Sequence, residues 1–155
     1  MGTNSASAAQ QLASFLAKFD PRMAKLIRSV RARLRKRFPT AIEIVYDNYN
    51  FFVIGYSSTE RPSDCVVSLA ANSKGIVLSF YWGSTLPDPH KLLQGSGSQN
   101  RFIRLPSAAT LAEPAVEALL AAAAAQSKTQ LPFSGGGYLV IKSISAKQRP
   151  RRQAL

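Results

Sequence analysis

Between Ala41 and Trp82 the chain carries four short runs of β-branched and aromatic residues separated by turn-forming links. Ala41 to Tyr46 alternates around Glu43, Phe51 to Tyr56 is bulky on both faces, and Cys65 to Ala70 and Ile76 to Trp82 continue the series. The links are Asp47-Asn48-Tyr49-Asn50, the longer polar loop Ser57 to Asp64, and Asn72-Ser73-Lys74-Gly75, which ends on the glycine a tight turn needs. Strands joined this closely pair with their sequence neighbours, so the run predicts an antiparallel meander. A half-buried sheet of this kind needs helices to cover its apolar face.

The flanking segments supply them. From Ala8 to Phe19 the residues Leu12, Phe15, Leu16 and Phe19 fall at i, i+3, i+4 and i+7, one buried stripe on a short helix. Asp20-Pro21 reads as a cap and a first-turn proline, opening a second helix to about residue 38 with Met23, Leu26, Ile27, Val30, Leu34 and Phe38 on one face. Beyond the meander, Asp88-Pro89 suggests a short helix through Leu93, stopped by Gly95-Ser96-Gly97, and residues 101 to 105 resume a strand. Glu113-Pro114 opens a last helix to about residue 127, with Val116, Leu119, Leu120 and Ala123 as its stripe. Gly135-Gly136-Gly137 leads into a final strand, Tyr138 to Ile144. The expectation is a single-domain α+β sandwich over residues 8 to 144. In it a mainly antiparallel sheet of about six strands is packed by two amino-terminal helices and one carboxy-terminal helix. Residues 1 to 7 are expected to be disordered and 145 to 155 to form a basic tail.

Charge narrows the function classes. The net charge is +12 in 155 residues, and the basic residues cluster: nine lie between residues 18 and 37 against Asp20 alone, and five between 142 and 152 with no acid. Like charges at i,i+4, such as Arg31 and Arg35, repel by a few tenths of a kcal/mol. Their density marks Arg28, Arg31 and Arg35, with Lys147, Arg149, Arg151 and Arg152, as a candidate footprint for nucleic acid or another polyanion. The same helix face also reads as an ordinary solvated surface. The single cysteine, Cys65, excludes an intrachain disulfide and a cysteine-based zinc site, and fits a reducing compartment. With no signal-like start, and no apolar run of the roughly 18 residues a span requires, a cytoplasmic location and no membrane partner are expected.

Catalytic patterns are sparse. His90, the only histidine, has Asp88 as its nearest acid in sequence, and no Gly-X-Ser-X-Gly elbow accompanies it. The turn at 95 to 98 lacks the spacing of a nucleotide loop, so it reads as a helix stop or a weak anion site beside Arg101. The eight carboxylates are scattered, against the convergence a hard cation needs, and no cofactor or metal is expected. Core packing accounts for most of the aromatics in the strands. The remainder suggest a cleft for a small anionic or planar ligand, formed by Tyr46, Asn48, Tyr49 and Trp82 with His90, Gly95, Gly97 and Arg101.

Three runs carry a family resemblance: Val45-Tyr46-Asp47-Asn48-Tyr49-Asn50, Leu86-Pro87-Asp88-Pro89-His90-Lys91-Leu92-Leu93-Gln94-Gly95-Ser96-Gly97, and Ile144-Ser145-Ala146-Lys147-Gln148-Arg149-Pro150-Arg151-Arg152. From about residue 10 onward the chain resembles the YdhG-like domain of unknown function found in bacterial proteins. Where that family usually has a lysine after the second glycine, Ser98 stands here. Some members are described as frataxin-like iron chaperones, which implies an α/β sandwich with carboxylate-rich iron sites. The first helices here are basic where such sites use an acidic ridge, and no ligand position or catalytic residue carries over. The leading expectation is a non-enzymatic module binding a small ligand or partner. Polyanion binding through the basic helix and tail is its first alternative, a small enzyme using His90 a second, and an iron chaperone the remaining one.

Overall fold

A computed structural model describes residues 6–153. Three helices, α1 (Ala8–Leu16), α2 (Pro21–Arg37) and α3 (Pro114–Gln126), cover one face of a six-stranded mixed sheet. The strands are β1 (Ile42–Asp47), β2 (Phe52–Ser57), β3 (Cys65–Asn72), β4 (Gly75–Phe80), β5 (Arg101–Arg104) and β6 (Leu139–Ile144), in the spatial order β5-β4-β3-β2-β1-β6. The first five form an antiparallel meander; short links dictate the pairing of β1 to β4, and β5 joins the edge of β4 after the longer segment 81–100.

Val45, Ile54, Leu69, Leu78 and Ile103 stand opposite one another across the five strands, forming one apolar row under the helices. Alternation puts Tyr56, Val67 and Phe80 on the same face, and all of these residues are buried. Phe15 and Phe19 meet the Phe52 ring edge-on or tilted at 6.3 and 6.0 Å, which seats α1 over the β1–β2 end of the sheet. Phe19 is buried although α1 ends at Leu16, because the turn between the helices carries it inward.

β6 is the exception to antiparallel pairing. It lies parallel to β1, with Glu43 opposite Leu139 and Val45 opposite Ile141. The physical reason lies at the end of α3, where Gln126 donates to the carbonyl of Trp82 just past the last residue of β4. That is also the end at which β1 begins, since Ile42 faces Ser57 and Ser57 faces Cys65. The chain therefore crosses to the free edge of β1 there and can only run alongside it in the same direction. The crossing is tight: a Cβ on Gly137 would stand 1.7 Å from the Ala41 carbonyl oxygen, so only glycine fits.

Three expectations need correction. Residues 88 to 93 are not helical. Both Asp88 carboxylate oxygens are taken, by the amides of Leu92 and Leu93, and Lys91 adopts a left-handed φ of 54°, which stops helix propagation. Ser7, assigned to a frayed terminus, caps α1 by accepting from the Gln10 amide while Gln10 reaches back to the Ser7 amide; residues 1–5 lie outside the described residues. The segment 145–153 is not a free tail but packs on the body of the protein, as detailed below, and residues 154–155 lie outside the described residues.

Candidate functional site

The helix α2 buries Ala24, Ile27, Val30 and Leu34 and turns its cations outward. Its two partners among the acids sit at one end. Glu43, on the helix-facing side of β1, takes two hydrogen bonds of 2.9 Å from Arg31 and a third from the Tyr56 hydroxyl, with Arg35 3.7 Å away. Glu117 of α3 takes Arg37 at 2.8 Å. The Glu43 contact raises the Arg31 pKa, and burial, followed by the Glu43 charge, pushes the Tyr56 phenol well above its ordinary value. Among the described residues no acid pairs with Arg22, Lys25, Arg28, Arg33 or Lys36. The outer face of α2 is thus uncompensated positive charge.

The second basic cluster joins the first through the fold. After β6 the chain turns back over the β1–β2 connection, and Ser145 donates its amide to the Asp47 carbonyl. Asp47, fully buried, binds Lys18 and Arg151, the latter at 2.9 Å. Burial alone would raise the Asp47 pKa, but the hydrogen bonds from Lys18, Arg151 and Gln148 outweigh it and hold the carboxyl below its ordinary value. Arg151 also donates to the Asn48 carbonyl, and its Nε and Nη1 are buried without a partner. Arg152 reaches the carbonyls of Ala17 and Lys18, at the entry to α2. Arg149 donates its amide to the Tyr49 carbonyl and lays its guanidinium 5.5 Å from that ring.

The candidate polyanion residues therefore divide. Arg28, Arg35, Lys147, Arg149 and Arg152 are exposed. Arg151 faces the interior and Arg31 is committed to Glu43, so neither offers a free cation. Tyr49 and Phe51, at the β1–β2 connection next to the returning segment, are 46% and 39% exposed. One end of the molecule thus gathers exposed aromatics, the tail cations and the start of the basic helix.

The residues expected to line one cleft are not brought together. Tyr46, Asn48 and Tyr49 sit where β1 meets the start of β2, whereas Trp82 follows β4 at the opposite end of the sheet. Three inter-strand spacings, about 14 Å, and about five residues of strand, about 16 Å, separate their backbones. Arg101 does lie by Trp82: it pairs with Phe80, and a Cβ on Gly83 would stand 2.5 Å from the Arg101 Cβ. Gly97 joins it, its carbonyl accepting from the Arg101 guanidinium, and Gly95, at φ 114°, packs beside Phe102. His90 is exposed on the 88–93 turn and, among the described residues, forms no hydrogen bond. The shallow hollow beside it is walled by Pro87, Leu92, Pro114 and Ala118, with the Asp88 carboxylate already engaged. Among the described residues no three His, Cys, Asp or Glu side chains gather as metal ligands would, and no helix is long and apolar enough to cross a membrane.

Trp82 instead lines a cavity of about 380 Å³ with Arg61, Ser63, Cys65, Gln126 and Lys128. A second, of about 500 Å³, opens between the end of α2 and the glycine turn before β6. Sequence reasoning missed both, because their walls come from segments far apart in the chain. The two buried acids had a readable signal: Glu43 and Asp47 alternate with Val45, which places them on the apolar face of a strand where each must find a cation. No family model, curated protein or solved structure matches the chain.

Proposed function

We propose that this chain is a non-enzymatic module that binds single-stranded nucleic acid, using α2 and the returning basic segment as its phosphate-contacting surface. The observation that carries the reading is convergence. The contacts of Arg151 with Asp47, and of Arg152 with the carbonyls of Ala17 and Lys18, bring two basic clusters more than a hundred residues apart in sequence to one end of the molecule. A joined positive surface attracts a polyanion by steering and counterion release. Exposed Tyr49 and Phe51 beside Arg149 add what a single strand offers beyond its phosphates, since unpaired bases stack on aromatic rings. The resemblance to the YdhG-like domain neither supplies nor opposes this role.

The test is a fluorescence anisotropy titration with a labelled oligothymidylate at 50 and 200 mM salt. With Lys25, Arg28, Lys147, Arg149 and Arg152 each neutralising one phosphate, the single-strand slope of about −0.7 per contact gives about a hundredfold loss of affinity over that range. Tyr49→Ala weakens binding about tenfold through loss of one stacked base. A salt-independent affinity, or no binding at 50 mM, removes the proposal. An unchanged affinity in Tyr49→Ala removes the single-strand part of it and leaves a phosphate-only surface.

A further inference from the structure

We infer that the cavity beneath Trp82 is a binding site for a small planar aromatic carboxylate, distinct from the nucleic-acid surface and independent of it. The cavity is bounded by the Pro62–Asp64 turn, the end of β4 and the end of α3, and its volume of about 380 Å³ lies at the small end of the range for ligand sites. That size suits a one- or two-ring molecule.

The indole is held in place before any ligand arrives. Its Nε1 donates to the Ser63 carbonyl at 3.0 Å, and the Tyr81 ring abuts it edge-on with centroids 4.9 Å apart. The Trp82 carbonyl accepts from Thr85 Oγ1 at 2.9 Å and from Gln126 Nε2 at 3.1 Å, tying the ring's backbone to α3. Yet 37% of the residue remains exposed, and it forms part of the cavity wall. A fixed, half-open indole is a stacking platform whose ordering cost has already been met in folding.

Charge selects the other half of the ligand. Asp64, also in the lining, is paired through one carboxylate oxygen, Oδ2, which accepts from the Thr59 hydroxyl at 2.6 Å and from Arg61 Nε at 3.2 Å and so offsets the Arg61 charge. The thiol of the lining residue Cys65 is neutral, because burial pushes its pKa up to about 11. Lys128 has no acid partner among the described residues, so the lining carries one excess positive charge. Among the described residues no hydrogen bond engages the Ser63 hydroxyl or the terminal nitrogens of Arg61, which leaves donors for carboxylate oxygens in the same lining as Lys128. One excess charge fits a monoanion, and the indole fits the ring attached to it.

Trp82 is the only tryptophan, so its emission reports this cavity alone. The probe is benzoate, with cyclohexanecarboxylate testing planarity, benzyl alcohol testing charge, and Lys128→Gln removing the cation from an exposed position where the fold does not depend on it. Benzoate should change the emission saturably. Lys128→Gln, and each of the two control compounds on the native protein, should bind about tenfold more weakly. A saturating oligothymidylate should leave the benzoate curve unchanged, so this site and the proposed function fail separately. Linear quenching without saturation overturns the inference, as does equal benzoate affinity in Lys128→Gln. Equal affinity for either control compound overturns it as well.

Discussion

The buried pair of Asp47 and Arg151 makes the sharpest test of the architecture, because it decides whether residues 145–153 belong to the fold. The Arg151 side chain is 2% exposed and Asp47 is fully buried, so neither charge can turn to water when its partner is removed. Asp47→Asn strands the guanidinium, which has the Asn48 carbonyl as its other acceptor and two nitrogens already without partners. Removing one partner of such a pair costs about 3–5 kcal/mol. Arg151→Met is milder. Asp47 keeps Lys18, the methionine fills much of the same volume, and the two unpartnered nitrogens disappear with the guanidinium. About 1–2 kcal/mol is expected. For a chain of 155 residues this means a fall in Tm of about 10 °C for Asp47→Asn and about 4 °C for Arg151→Met. Urea denaturation followed by circular dichroism measures both, together with the double variant. The double variant should fall about 2 kcal/mol short of the summed single costs, because each change removes the other's penalty. The reasoning is refuted if Arg151→Met is silent, which would mean the segment does not dock. It is equally refuted if the ordering of the two variants reverses or the double variant is additive.

Two further outcomes follow from the same geometry. Gly137→Ala must push β6 away from Ala41 and break the bonds from the Gly137 amide to the Pro39 carbonyl and from the Glu43 amide to the Tyr138 carbonyl, at a cost of about 3 kcal/mol; Gly136→Ala, with no atom within 4 Å of its Cβ, should be nearly neutral, and hydrogen exchange in β6 separates the two. Because Asp47 holds its proton less tightly in the folded than in the unfolded chain, its contribution to stability is complete above the ordinary carboxylate range and is lost as the pH falls from about 4 through the lowered folded value; denaturation midpoints between pH 5 and pH 2 should drop less steeply in Asp47→Asn than in the native protein.

Much of the fold was legible. The stripes of α1, α2 and α3 and the four meander strands all form within a few residues of where their periodicities place them. Leu12, Phe15 and Leu16 are buried as a helical stripe demands, while Phe19 is buried by the turn that follows α1. The exception at 88–93 is instructive. Asp88-Pro89 has the composition of a helix start, but the carboxylate satisfies amides four and five residues on and closes a turn instead. For the candidate sites the sequence supplied residue types without their companions. Arg151 and Arg149 are two residues apart in the same basic run, yet one is an interior counterion and the other a surface cation. Trp82 was recognisable as an aromatic at a strand end, but its cavity mates Arg61 and Lys128 come from a loop and a helix terminus on either side of it in the chain.

By itself the sequence determined the elements and their pairing wherever neighbours in sequence are neighbours in space, because side-chain period, caps and short links act over a few residues. It also determined that the chain carries an excess of positive charge. Only the tertiary structure decided the rest: the parallel pairing of β6 with β1, the return of the last segment onto Asp47, and the separation of Tyr49 from Trp82. Each depends on contacts between residues far apart in the chain, such as the 104 positions between Asp47 and Arg151, and a pattern that repeats over two to four residues cannot encode a choice made over that distance.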